Sequence, residues 1–237
     1  MNQLMRRVSA LLLIVLALGL WGFAQGDQAA KLEKVLQLMD KTAASFHTLQ
    51  TEFKWDQFMR VVSSHDEQSG VMYFRRTKKD VEMAAVIKQP ALKYVLYKGG
   101  TAKVYEPKIN QVTEYDVGKN QADFQTYLVL GFGGGGEDLK KSFDVRYAGT
   151  EQVQGINAYK LELVPRSPKV RNTFSLITLW IDPARGIALR QKFQEPSGDY
   201  RQAEYSNIQM NQKLPNDAFS LHTDGKNPRT VKPQGGM

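Results

Sequence analysis

The chain has 237 residues, 42% of them hydrophobic, and a formal charge of +8, which is ordinary globular composition with room for one cored domain or at most two. It contains no cysteine, so disulfides, thiolate nucleophiles, cysteine-held metals and lipid attachment at an N-terminal cysteine are excluded. The positive balance would suggest nucleic acid in a cytosolic protein. In an exported one it serves solubility, or faces anionic headgroups or an acidic protein.

Residues 1–24 read as a signal peptide. Arg6 and Arg7 form the positive start, Val8 to Leu20 the apolar run, and Gly22-Phe23-Ala24 the small-residue cleavage region, with the cut placed after Ala24. The apolar run is shorter than the ~20 residues a spanning helix needs. The paired arginines lack the rest of a twin-arginine signal. The chain is therefore expected in the periplasm, with a domain over residues 25–223 and a disordered tail over 224–237.

Ala29 to Gln50 reads as an amphipathic helix. Leu32, Val35, Leu36, Met39, Ala43, Phe46 and Leu49 share one face, and Asp27 is placed to cap it. Thr51 to Val62 then alternates as a strand, with Phe53, Trp55, Met59 and Val61 on one parity, and Ser63 to Ser69 is read as a polar connection. Gly70 to Tyr115 has the period-two pattern of an antiparallel meander. Met83, Ala85, Tyr94 and Leu96 are candidate concave-face residues, Gly99-Gly100 a tight hairpin, and Pro107 to Asn110 the next corner.

The pattern breaks over Asn120 to Phe143. Asp123 to Leu130 is expected to be a short helix with Phe124, Tyr127 and Leu128 on one side. The glycine-rich stretch Gly131 to Gly136 follows, then a second helical stretch from Glu137 to Phe143. Two small helices around adjacent glycines suggest a movable cover, with an ordinary flexible loop as the plainer reading. Alternating runs return at Asp144–Gly149, Gln152–Val164, Phe174–Asp182, Ile187–Gln194 and Tyr200–Asn207, with Pro165 to Asn172 a basic loop between two of them.

Catalytic signatures do not emerge. His47, His65 and His222 are far apart and form no metal motif. There is no G-x-S-x-G elbow. The glycine run is followed by Glu137 and Asp138, which would repel a phosphate. Asp182 and Asp199 lie beside turns, where aspartate commonly serves the backbone. No enzyme activity, cofactor or metal is expected.

Several short pieces in a fixed order carry a resemblance. They are Ser45-Phe46-His47-Thr48-Leu49-Gln50-Thr51-Glu52-Phe53, Gly70-Val71-Met72-Tyr73-Phe74-Arg75-Arg76, and Gly99-Gly100-Thr101 with Val104-Tyr105-Glu106-Pro107 and Gln111-Val112. Later come Leu179-Trp180-Ile181-Asp182, Tyr205-Ser206-Asn207-Ile208 with Asn211, and Leu214-Pro215 with Phe219. Together the chain resembles the periplasmic outer-membrane lipoprotein carriers of the LolA type. The resemblance implies a mainly β, α+β fold: an unclosed antiparallel β-barrel, a curved sheet with an N-terminal helix and short lid helices over an apolar cavity.

It further implies a monomeric carrier for the acyl chains of lipoprotein cargo. An inner-membrane ABC-type release complex would load it, and the outer membrane, through a receptor where one exists, would unload it. The cavity would be lined by Phe53, Trp55, Met83, Ala85, Tyr94, Leu96, Trp180 and Phe193. Arg76 would hold a lid that includes Phe124, Tyr127, Leu128, Gly131 and Gly133, bonding to carbonyls near Leu128 to Gly131 or Glu137 to Lys140. Thr77 stands where the family's strand is typically followed by proline. Receptors of this fold are acylated on cysteine, so its absence favours the soluble carrier. Competing readings are a same-fold sensor of lipoproteins or another lipid, whose known examples carry a further C-terminal domain, and an enzyme with an unrecognised site.

Overall fold

The computed structural model describes residues 26–78, 80–118, 128 and 130–233. The expected signal peptide lies outside them, as do Phe124 and Tyr127. Helix α1 covers residues 26–45. Strands β1 (Thr48–Met59), β2 (Ser64–Arg76), β3 (Val81–Gln89), β4 (Lys93–Lys98), β5 (Thr101–Glu106) and β6 (Gln111–Asp116) follow. After helix α2 (Gly136–Ser142) come β7 (Phe143–Val153), β8 (Ile156–Pro165), the single-turn α3 (Pro168–Arg171), β9 (Leu176–Ile181), β10 (Ala188–Gln194), β11 (Tyr200–Met210) and β12 (Arg229–Val231).

All twelve strands form one curved sheet in the order β12-β6-β5-β4-β3-β2-β1-β11-β10-β9-β8-β7. Every pairing is antiparallel except β12 on β6. The end strands β7 and β12 do not pair with each other, so the barrel is unclosed. Gly99 and Gly100 both take positive φ and join Lys98 directly to Thr101, as a two-residue hairpin requires.

The concave face holds two apolar clusters. Over β7 to β10, α1 lays Val35, Leu36 and Met39 against Leu161, Leu163, Ile177 and Leu179. Over β1 to β3 and β11, Phe46 and Phe132 cover Leu49, Phe53, Phe74 and Tyr205. The turn before β10 fits closely under α1. Thr42 Oγ1 donates to the Arg185 carbonyl at 2.7 Å, and a side chain at Gly186 would meet Thr42 and Leu38.

Four boundaries differ from the sequence reading. The helix stops at residue 45 rather than Gln50, because Asn211 caps its exit. Its Oδ1 accepts from the backbone of His47 and Thr48, and its Nδ2 donates to the Ser45 carbonyl. Asp27 is itself helical, paired with Lys31, and is not the N-cap. The Ser63–Ser69 connection is largely strand, since β2 starts at Ser64, and the turn carries Val61 out into solvent at 93% exposure. The tail, expected to be disordered, contributes β12, and Lys232 pairs with Glu114.

Leu36 is fully buried, and its backbone sits against Gly136. Leu36→Ala is expected to cost about 2–5 kcal/mol, the range for a buried leucine truncated under a packed helix. Guanidinium unfolding with an unchanged slope measures it.

Candidate functional site

Between the two concave clusters lies an apolar cavity of about 250 Å³. Phe53 and Trp55 of β1, Met72 and Phe74 of β2, Met83 of β3, Phe193 of β10, and Ala203 and Tyr205 of β11 form its sheet side; Leu128, Phe132 and Phe174 close over it. The register explains the gathering. Phe53 faces Tyr205, Trp55 faces Ala203 and Phe74 faces Met83 across adjacent strands, and directly paired residues point to the same side of a sheet.

Phe132 is the plug. It is 1% exposed, edge-on to Tyr205 at 4.4 Å between ring centres and 5.6 Å from Phe74. Its flanking glycines make that depth attainable. Gly131 and Gly133 both take positive φ, and a Cβ on either would collide, with Ala188 at 2.6 Å and the Phe46 ring at 2.7 Å. Gly136 lies against the Leu36 backbone and Gly135 against Asp40. The glycine run is therefore a close-packed seat, not only a slack tether.

Two polar clasps hold the seat. Arg76 donates from Nη1 to the Ala43 carbonyl at 2.9 Å and from Nη2 to the Gly133 carbonyl at 2.7 Å, with its guanidinium over the Phe46 ring. One fork thus ties the end of α1 to the loop. The loop acceptor is Gly133, between the two stretches expected from the sequence; the Ala43 acceptor on α1 was not foreseen. On the other side, Gln191 Nε2 donates to the Leu130 carbonyl while Tyr205 Oη donates to Gln191 Oε1 at 3.1 Å, and Ala188 N donates to the Gly131 carbonyl at 2.8 Å. Burial pushes the Tyr205 hydroxyl well above its ordinary value, so it stays a donor at any physiological pH.

Of the residues read from the sequence, Phe53, Trp55, Met83 and Phe193 line the cavity, and Ala85 is buried in the same cluster. Leu128 lines it too, and Gly131 and Gly133 position its plug. Tyr94, Leu96 and Trp180 do not belong to it. The register pairs Ala85 with Val95 and Met83 with Tyr97, so the concave parity of β4 is Val95 and Tyr97. Tyr94 instead stacks on Tyr105 and His222 on the convex side, and Leu96 lies beside Phe219 and Leu221. Trp180 packs with Val153, Ala158 and Leu189, flanked by the Lys160 and Arg190 cations. Sequence reasoning missed Met72, Phe74, Phe132, Phe174, Gln191, Arg201, Ala203 and Tyr205. A large aromatic alone between glycines was the signal for Phe132.

Metal-holding clusters of three or more His, Asp or Glu are absent among the described residues. Asp182 and Asp199 serve backbone: Asp182 accepts from Ala184 N and Asp199 from Arg60 N.

Residues 44–222 match the family described as outer membrane lipoprotein carrier protein LolA. The match spans well over half of the chain, which belongs to that family. No curated protein matches it. Among solved structures, an uncharacterized conserved protein from Thermus thermophilus is similar at 14% identity and a TM-score of 0.54, over 87% of this chain and 100% of that one. MucB aligns at 14% identity and 0.53, over 82% of this chain and 64% of that one. The MucA/MucB complex of Pseudomonas aeruginosa gives 15% and 0.50, over 82% and 62%. The chain thus spans just under two thirds of the length of those MucB chains, and the likeness is one of fold.

Gly133→Ala should unseat the loop, since neither the positive φ nor the 2.7 Å approach to Phe46 tolerates a methyl. A loss of about 1–3 kcal/mol and faster amide exchange across residues 130–136 are expected. Tyr205 gives a pH signature. Its proton is held more tightly folded than unfolded, so this stabilisation is complete below the unfolded value of 10.0 and is lost as pH rises beyond it. Denaturant midpoints should fall above pH 10, and Tyr205→Phe should reduce that slope.

Proposed function

We propose that the protein is an extracytoplasmic carrier, not an enzyme, that takes the acyl chains of a lipoprotein into its concave cavity for transfer between membranes. A release complex at the inner membrane loads it and the outer membrane receives the cargo. One observation supports this reading above the others: an apolar cavity over which Leu128, Phe132 and Phe174 close, with Phe132 as a plug seated among glycines and held by a few hydrogen bonds. At about 250 Å³ the plugged cavity is smaller than the ~300–1,000 Å³ of most ligand pockets. Withdrawing Phe132 enlarges it.

The energies make such a plug exchangeable. Each charge-assisted bond from Arg76 contributes about 1.5–3 kcal/mol. Each acyl methylene removed from water contributes about 0.8 kcal/mol, so ten of them, about 8 kcal/mol, offset both bonds and part of the plug's own burial. Among the described residues no helix is long and apolar enough to cross a membrane. A second reading, a sensor that acts by binding a protein, draws support from the fold neighbour MucB, which forms a complex with MucA.

Native mass spectrometry of protein recovered from the periplasm tests the proposal. A co-purifying acylated polypeptide supports the carrier; an unacylated protein partner supports the sensor; lipid-free, partner-free protein counts against both. Arg76→Leu removes the clasp on Gly133 and Ala43. It should still accept lipoprotein but transfer it to acceptor membranes several-fold more slowly, because the closed empty state no longer favours release. Arg76→Lys should rescue only in part, lacking the planar fork. Transfer at the unmodified rate by Arg76→Leu would remove the gate from the mechanism.

A further inference from the structure

Among the described residues, the large apolar side chains that stand out in solvent are Met59, Val61, Val62, Leu92, Ile109 and Val164. The topology puts all of them at one end of the sheet. Met59, Val61 and Val62 belong to the β1–β2 connection, Leu92 to β3–β4 and Ile109 to β5–β6, while Val164 lies at the end of β8. The antiparallel order sends β2–β3, β4–β5, β7–β8 and β9–β10 to the opposite end. No large apolar side chain is exposed there among the described residues.

Within that end the β1–β2 tip stands out. β3 stops where Gln89 pairs with Ser69, so β2 runs on alone past it from Gln68 to Ser64. At ~3.3 Å per residue the tip lies about 16 Å beyond the β3–β4 turn along the strand. It is a defined turn: Ser63 N donates to the Arg60 carbonyl, Phe58 stacks on Tyr200, and Arg60 N donates to Asp199 Oδ1 at 2.8 Å. Phe58 pairs with Tyr200 and Tyr200 with Gln194, so the tip is level with the β10–β11 turn. The cavity reaches the same level, where Phe174, Phe193 and Arg201 line it. The charge there is basic. Asp144 pairs with Arg166, Glu195 with Arg201 and Glu67 with Lys54, which leaves the Asp66 carboxylate of β2. Against it stand Arg60 and Arg171, whose guanidinium groups meet backbone carbonyls and no carboxylate among the described residues.

We propose that the β1–β2 tip docks the protein on an anionic phospholipid bilayer. Val61 and Val62 enter the boundary between headgroups and acyl chains, Arg60 and the basic β8–β9 connection lie at headgroup level, and the cavity is brought up to the membrane surface. The shape of the tip favours a bilayer over a protein. It is narrow and convex, and at 93% and 65% exposure neither valine has a partner in the fold that would explain it. A protein would need a pocket cut to this turn, whereas acyl chains accept an apolar tip of any outline. The proposal goes beyond the carrier reading, because it assigns a membrane contact to a turn that the cavity, the plug and the clasps do not use.

The test is co-flotation of the cargo-free mature chain with vesicles of equimolar phosphatidylcholine and phosphatidylglycerol, and with vesicles of phosphatidylcholine alone. Binding should be tighter to the anionic vesicles and should weaken with added salt. The double variant Val61→Asp/Val62→Asp should lose about tenfold or more in vesicle affinity, with an unchanged denaturant midpoint, since both side chains are exposed in the native fold. Arg60→Glu should weaken binding to the anionic vesicles, and Lys98→Glu, at the opposite end of the sheet, should leave it as it was. Val61→Trp adds a reporter whose emission should shift to the blue on binding and be quenched by brominated acyl chains. Absence of vesicle binding, binding that survives the double aspartate variant, or a reporter that stays unquenched overturns the assignment. So does cross-linking of the tip to a protein with no affinity for vesicles. Each of these failures leaves the carrier reading standing, because that reading is decided by whether an acylated polypeptide co-purifies.

Discussion

An antiparallel sheet that curves but does not close leaves an apolar concave face that strand pairing cannot cover. The rest of the architecture follows from covering it. Over β7 to β10 the solution is a helix: α1 buries Val35, Leu36 and Met39 into the cluster around Leu161 and Leu179, a broad contact. Over β1 to β3 and β11 it is a pair of rings, Phe46 just past α1 and Phe132 in the glycine-rich loop. The two covers differ in how much must be given up to remove them. A helix that buries a row of side chains opens with a large loss of apolar contact. A ring held by Arg76, Gln191 and its glycine neighbours has less apolar contact to lose.

The glycines illustrate how one composition can serve two physical ends. A run of them frees the backbone, which is the property evident in the sequence. In the folded chain their lack of a side chain matters at least as much. Gly133 against Phe46, Gly131 against Ala188 and Gly136 against Leu36 each permit an approach that a methyl would forbid. The seat is thus shaped for Phe132 to reach Tyr205. Arg76 joins the two covers, because its fork spans the end of α1 and the loop.

The convex face has its own logic. Trp180 sits between Lys160 and Arg190, with Val153 and Leu189 beneath it. Further round, the segment after β11 crosses β4 and β5, sets Phe219 over Arg75 and His222 on Tyr94, and ends as β12 beside β6. This covering explains why Tyr105, on the convex side, is as buried as any concave residue. Aromatic content therefore does not distinguish the two faces here. Only register does.

What the sequence by itself determined was local. Alternation over Thr51 to Tyr115 and Asp144 to Asn207 defines strands, the apolar spacing of Leu32 to Met39 defines the first helix, and Gly99-Gly100 defines a hairpin, since each depends on backbone conformation and side-chain periodicity within a few residues. Phe53, Trp55, Met83 and Phe193 were legible as cavity residues because parity within each of their strands happened to match the concave side. Tyr94, Leu96 and Trp180 were misplaced because parity carries no sign from one strand to the next: the pairing of Ala85 with Val95 fixes it, and that is a tertiary fact. The same holds for the end of α1, set by Asn211 from 166 positions away, and for Arg76, whose partners Ala43 and Gly133 come from opposite sides of it in the chain. Phe132 became a site residue only when the sheet curved, because curvature brings β1, β2, β10 and β11 around one volume and leaves that ring as its plug.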